Sequence, residues 1–117
     1  MIGLPSSVRV FVATDPVDMR KGPDGLSAEV RRRQGDPFSG HLFVFASRRR
    51  DRIKILAWSR GGFIVWYKRL EKGRFPVPLA DEGPQVTLDS AQLALLLDGV
   101  DYRRVERPPA WEPKAAA

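Results

Sequence analysis

Three extended stretches crowd into residues 41–69, and their spacing leaves the chain few choices of fold. His41-Leu42-Phe43-Val44-Phe45-Ala46 is almost continuously apolar, the pattern of a strand covered on both faces and therefore central in its sheet. Arg52-Ile53-Lys54-Ile55-Leu56-Ala57-Trp58 and Phe63-Ile64-Val65-Trp66-Tyr67-Lys68-Arg69 follow, separated by Ser59-Arg60-Gly61-Gly62, which is a hairpin signal. Loops of two, three or four residues all fit that turn, so the hairpin register stays open. Ser47-Arg48-Arg49-Arg50-Asp51 is a polar loop ahead of the pair.

Around this block the remaining elements are shorter. Val8-Arg9-Val10-Phe11-Val12 reads as a first strand, broken by Thr14-Asp15-Pro16. Asp15 and Asp18 are placed to cap a short helical turn over residues 17–21. Asp24 is expected to cap a helix over residues 25–33, with Leu26 and Val30 on its apolar face and Gly35 as its stop. Residues 76–84 are punctuated by Pro and Gly, and Gln85-Val86-Thr87-Leu88 is extended. Asp89-Ser90-Ala91-Gln92 has capping-box spacing ahead of Leu93, Leu95, Leu96 and Leu97, with Gly99 to close the helix. The pattern predicts an α+β fold: a single small domain over residues 1–107, a mainly antiparallel sheet of four to five strands and two main helices. Residues 108–117 have too little to bury and are expected to form a mobile C-terminal tail.

Composition narrows the chemistry. A chain of 117 residues holds one domain. The absence of cysteine removes thiol nucleophiles, disulfides and thiolate metal sites, and points to a reducing cytosol. His41 is the single histidine, too few for a His-built zinc site. No apolar run approaches the roughly 20 residues of a membrane span, and the start of the chain is too short for a signal peptide. The expectation is a soluble, cytoplasmic protein with no membrane partner.

Of the 20 basic residues, 15 are arginine, whose planar fork grips phosphate bidentately. From Arg48 to Arg74 there are ten basic residues against Asp51 and Glu71, a net +8 that leaves −2 for the rest of the chain. Charge this localised reads as a footprint for a polyanion. The bland alternative is that the arginine stems only solvate a sheet. The candidate nucleic-acid-binding residues are Arg48, Arg49, Arg50, Arg52, Lys54, Arg60, Trp66, Lys68, Arg69 and Arg74. Aromatic rings interleave with them, as a stacking platform for unpaired bases or a tracker of duplex backbone would require. Most such rings fill a small β core instead. Trp58 and Trp66 are the best exceptions, each on the same face of its strand as a cation, Lys54 and Lys68 respectively.

Other constellations have simpler explanations. Asp15, Asp18 and Asp24 would suit a divalent metal in a nuclease, but capping and turn formation, with Arg20 and Lys21 as ion-pair partners, explain them better and without that chemistry. His41 follows a Gly turn with only Ser39 and Ser47 as nearby hydroxyls and no assignable carboxylate, so nothing orients it as a base. Gly61-Gly62 is a turn with no phosphate-binding helix after it. No catalytic residue, metal or cofactor is assigned.

Four strings carry a resemblance: Asp18-Met19-Arg20-Lys21-Gly22 with Asp24-Gly25-Leu26; Asp36-Pro37-Phe38-Ser39-Gly40-His41-Leu42-Phe43-Val44-Phe45; Asp51-Arg52-Ile53-Lys54-Ile55-Leu56 with Trp58; and Tyr67-Lys68-Arg69-Leu70-Glu71-Lys72-Gly73-Arg74-Phe75. In this order they resemble the TnpB-type accessory protein, the second-reading-frame product, of the insertion-sequence-66 family of bacterial transposable elements. The likeness covers about residues 2–107. It implies a role in transposition beside a separate, larger transposase; with no catalytic residue assigned and a localised positive charge, the expectation is a non-enzymatic accessory protein, on the nucleoid when bound to DNA. DNA, with element ends as one candidate, and the transposase or a sister accessory protein are the implied partners. The alternative is a protein-interaction module without direct DNA contact, anchored by Trp66, Tyr67 or the helix over residues 93–97.

Overall fold

The strand at Leu42–Ala46 (β2) is the middle one of five, and its neighbours explain its unbroken apolar character. The structure, a computed structural model, describes residues 4–79, 82–106, 108, 109, 111 and 113. The other elements are β1 (Val10–Ala13), α1 (Pro23–Arg32), β3 (Arg52–Ser59), β4 (Gly62–Arg69), β5 (Gln85–Leu88) and α2 (Ser90–Leu97). The sheet order is β4-β3-β2-β1-β5. β1 pairs with β2 in parallel, with α1 as the crossover that parallel strands require. The other three pairings are antiparallel.

One helix covers each face. Phe43 and Phe45 point from β2 into a cluster with Leu26 and Val30 of α1 and Leu56 of β3. Val44 and Ala46 point the other way, to Ile53, Ile55 and the α2 residues Leu93, Leu96 and Leu97. Phe75 and Val77, from the irregular chain after β4, close this second cluster. Phe75 is 1% exposed, and burial of such a ring contributes about 2–3 kcal/mol.

The hairpin register left open by the sequence is fixed by its turn. Ser59 pairs with Gly62, so the loop is Arg60-Gly61 alone, with φ of +47° and +84°. Two positive φ values match the type I′ turn, whose twist suits the flanking strands.

Helix α1 corrects the expected boundaries. It begins at Pro23 with Gly22 as N-cap and no side-chain cap, so Asp24 lies inside the first turn instead of capping a start at Gly25. Proline at the first helical position is already set to a helical φ, and Asp24 favours the positive end of the helix. The C-terminus is also different. Gly35 N–H donates to Val30 O and Gln34 N–H to Arg31 O, both at 2.9 Å, a Schellman pair in which Gln34, at φ +64°, takes the left-handed position. Gly35 serves another need, close approach: a Cβ there would lie 2.8 Å from Val30 Cγ1. The short helical turn expected over residues 17–21 is a β-turn, closed by Lys21 N–H on Asp18 O at 3.2 Å.

Helix α2 follows its sequence signature. Asp89 accepts from Gln92 N–H at 2.8 Å while the Gln92 side chain accepts from Asp89 N–H at 3.0 Å. Gly99, at φ +77°, completes the closing turn. The expected mobile tail lies largely outside the described residues; Pro108, Pro109, Trp111 and Pro113 are exposed and belong to no helix or strand. Among the described residues, no helix is long and apolar enough to cross a membrane.

Candidate nucleic-acid interface

Two loops leave the sheet at the carboxyl ends of the parallel strands β1 and β2. The first, Ser47–Asp51, is held by its own polar groups. Ser47 O accepts from Arg50 N–H at 2.9 Å, Ser47 Oγ donates to Asp51 Oδ1 at 3.1 Å, and Arg52 N–H donates to Ser47 Oγ at 3.2 Å. This knot turns Arg48 and Arg49 outward at its corner, both exposed. Arg50 O accepts Phe75 N–H at 2.7 Å, which ties the loop to the core.

The second loop follows β1. Val17 is buried and donates its N–H to Ala46 O at 2.9 Å, fixing the start of the turn against β2. Asp18 then accepts from the Arg20 backbone N–H at 2.9 Å and from its guanidinium at 2.7 and 3.1 Å. Hydrogen bonds from Arg20 hold the Asp18 carboxyl down to about 2. Arg20 itself stands 91% exposed.

Between the loops and the β3–β4 surface lies a cleft of about 850 Å³. Arg20, Arg48, Arg49, Arg52 and Lys54 line it against only Asp18 and Asp51, and Tyr67 and Val65 form part of its floor. Both acids are already engaged, Asp18 by Arg20 and Asp51 by the Ser47 hydroxyl. Arg48, Arg49 and Arg52 form no ion pair among the described residues. Lys54 Nζ donates to Lys21 O at 2.9 Å and lies 5.8 Å from the centre of the Tyr67 ring, which is 48% exposed. Such a surface is a concave positive field with an open aromatic face, suited to an anion that also carries a flat ring.

The ten candidate residues divide in space. Arg48, Arg49, Arg52 and Lys54 share the cleft, while Arg50 lines a smaller hollow of about 240 Å³ beside Thr14 and Val77. Arg60 sits at the hairpin tip, at the other end of β3 from Arg52. Arg69 pairs with Glu71 at 3.1 Å, and Arg74 lies exposed on the chain after β4. Trp66 and Lys68 belong to the opposite face, because they pair with Ile55 and Ile53, which face α2. The two expected tryptophan–cation pairs therefore cannot make one platform. Trp58 packs edge-on to Phe38 and Phe63 at 5.0 and 4.9 Å between ring centres.

Tyr67 and Arg20 line the cleft but are absent from the ten candidate residues; the sequence suggested Tyr67 only as an anchor for a protein partner. Strand alternation carries the signal for Tyr67: it shares a face with Arg69 and pairs across the ladder with Lys54. Arg20 lies in the string Asp18-Met19-Arg20, whose turn chemistry is the same turn that presents it.

The competing constellations are occupied elsewhere. Asp15 is ion-paired to Arg32 and Arg33, at 2.9 and 2.6 Å. Among the described residues, no group of three His, Cys, Asp or Glu side chains is placed to hold a metal ion. His41 Nδ1 accepts the Arg9 backbone N–H at 3.0 Å, and its ring meets Phe11 edge-on. Leu93, Leu96 and Leu97 are buried, which removes them as anchors for a partner. Ile64 and Trp66 remain exposed on the edge strand β4.

A family model described as "IS66 Orf2 like protein" matches residues 8–107. Two proteins of Sinorhizobium fredii (strain NBRC 101917 / NGR234) are similar along their lengths. One, "Uncharacterized protein y4jC", is 38% identical over 118 residues, covering 100% of both chains. The other, "Uncharacterized protein y4hO", is 40% identical over 114 residues, covering 94% of this chain and 96% of its own. No solved structure matches.

Proposed function

The chain belongs to the IS66 Orf2-like family, and from that premise we propose that it serves transposition as a non-enzymatic accessory protein that holds DNA in the cleft between its two loops. The carrying observation is the cleft itself: five cations converge there against two acids, Asp18 being ion-paired to one of them, Arg20, and Asp51 hydrogen-bonded to the Ser47 hydroxyl. Arginine fits this use because its fork matches phosphate oxygens and is weakly hydrated. Arg48 and Arg49 grip one side of the backbone, Arg20 the other, and Arg52 and Lys54 the middle. A separate transposase supplies the chemistry.

The test is a salt series of binding to element-end DNA and to random DNA of equal length, with the wild type and with R48Q/R49Q/R52Q. Phosphate contacts release counterions, so wild-type affinity falls steeply as salt rises from about 50 to 200 mM, and the triple variant loses both affinity and slope. Absence of binding at about 50 mM salt, or equal binding by the triple variant, refutes the reading. A second reading is favoured by Ile64 and Trp66, 55% and 41% exposed on the edge strand: a docking surface for the transposase. Co-purification of the two proteins after nuclease treatment, abolished by I64S/W66S, would support that reading over DNA-mediated association.

A further inference from the structure

We propose that the cleft accepts an unpaired DNA strand, with one base stacked on Tyr67 and the adjoining phosphates on Arg48, Arg49 and Arg52; this rests on the DNA-binding reading above. The first reason is shape. At about 850 Å³ the cleft falls in the range of sites that enclose small ligands, about 300–1,000 Å³. That is room for a nucleotide or two, whereas a duplex presents a convex backbone and keeps its base faces stacked inside. The second is the exposed ring on the floor. Tyr67 lies on the α1 side of the sheet yet stays 48% exposed there, and its neighbours on that face are Lys54 directly opposite, Arg69 two residues along and Arg52 diagonally across. An aromatic face ringed by cations is the recurrent arrangement for single strands, since every base has a π-face and every nucleotide a phosphate.

The third reason is preorganisation. Lys54 is pinned by Lys21 O and Arg20 by Asp18, so two of the cations bordering the cleft are positioned before any ligand arrives. Stacking of this kind tolerates any base, so the cleft reads strandedness in preference to sequence.

The experiment measures fluorescence anisotropy of a labelled 15-nucleotide single strand, the same sequence as duplex, and the same sequence as RNA, with the full chain at about 100 mM salt. Variants are Tyr67→Ala, Tyr67→Leu and Tyr67→Phe, each checked for native circular dichroism; Leu retains apolar bulk without a π-face, which separates stacking from packing. The single strand is expected to bind more tightly than the duplex. Ala and Leu should weaken single-strand binding roughly five- to hundredfold, with duplex binding changed less than about twofold, and Phe should bind as the wild type does. Duplex binding equal to or tighter than single-strand binding, or equal losses on both, overturns this inference while leaving the DNA-binding reading intact. Tighter binding of RNA overturns the choice of DNA. Absence of binding to all three, or binding indifferent to R48Q/R49Q/R52Q, removes both.

Discussion

Lys68 Nζ donates a hydrogen bond of 2.7 Å to the carbonyl oxygen of Leu97, so an ammonium carried by the edge strand closes the last turn of α2. The contact joins β4 to the helix that covers the same face, and it places a cation at the negative end of the helix dipole. Lys68→Met keeps the aliphatic stem and removes the donor. It is expected to destabilise the protein by about 1–2 kcal/mol in urea unfolding. DNA affinity and its salt slope should stay unchanged, since Lys68 faces away from the cleft. A drop in affinity with stability retained would place Lys68 in the binding surface.

Gln34 and Gly35 have exchanged the roles their residue types suggest. Gln34→Gly relieves a side chain at φ +64° and should stabilise by about 0.5 kcal/mol, after the greater freedom of glycine in the unfolded chain is set against it. Gly35→Ala drives a Cβ to 2.8 Å from Val30 Cγ1 and 3.3 Å from Phe43 Cε1, in a core where Val30 is 1% exposed. The expected cost is about 1–3 kcal/mol. Thermal unfolding of the two variants decides it: shifts of the same sign would contradict this assignment of roles.

Much of this fold was legible because local chemistry and burial agree. The continuous apolar run of β2 announced a central strand, and Asp89 with Gln92 announced the start of α2. Gly35 misled because a helix-terminal glycine usually signals positive φ, and only the packing of Val30 and Phe43 reveals a steric need. The residues of the candidate cleft were half legible. Charge marked the segment from Arg48 to Arg74, but charge has no parity, and the fixed ladder pairing sends Lys68 and Trp66 to one face and Lys54 and Tyr67 to the other. Arg20 was hidden because its contribution depends on a loop 28 residues before Arg48 meeting the cleft in space.

The same division predicts a gradient along the hairpin. Removing a cation that neutralises one phosphate should lower the slope of log affinity against log salt by about 0.7–0.9. Arg49→Gln is expected to show that change and Arg60→Gln, at the far tip, less than about 0.2. Equal slopes for the two variants would mean that the whole hairpin, and not the cleft, is the electrostatic footprint.

The ion network behind α1 links stability to acid pH. Glu29, 15% exposed, accepts from Lys21 at 3.1 Å, from Arg32 at 3.2 Å and from Arg33 at 2.6 Å, and Arg33, 4% exposed, also reaches Asp15 at 2.6 Å. Burial alone would raise the Glu29 carboxyl; the hydrogen bonds from Arg33, Lys21 and Arg32 outweigh it and bring it from 4.5 down to about 2. A folded-state value below the unfolded one means the unfolded chain binds the proton more readily. The stabilisation is therefore complete above about pH 4.5 and is lost as pH falls toward about 2. Glu29→Gln should cost about 1–3 kcal/mol at pH 7, because the buried Arg33 guanidinium loses a charged partner. Between pH 5 and pH 2 the variant should also lose stability less steeply than the wild type, so that their urea midpoints converge in acid. Midpoints that fall in parallel over that range would show that other carboxylates govern acid unfolding.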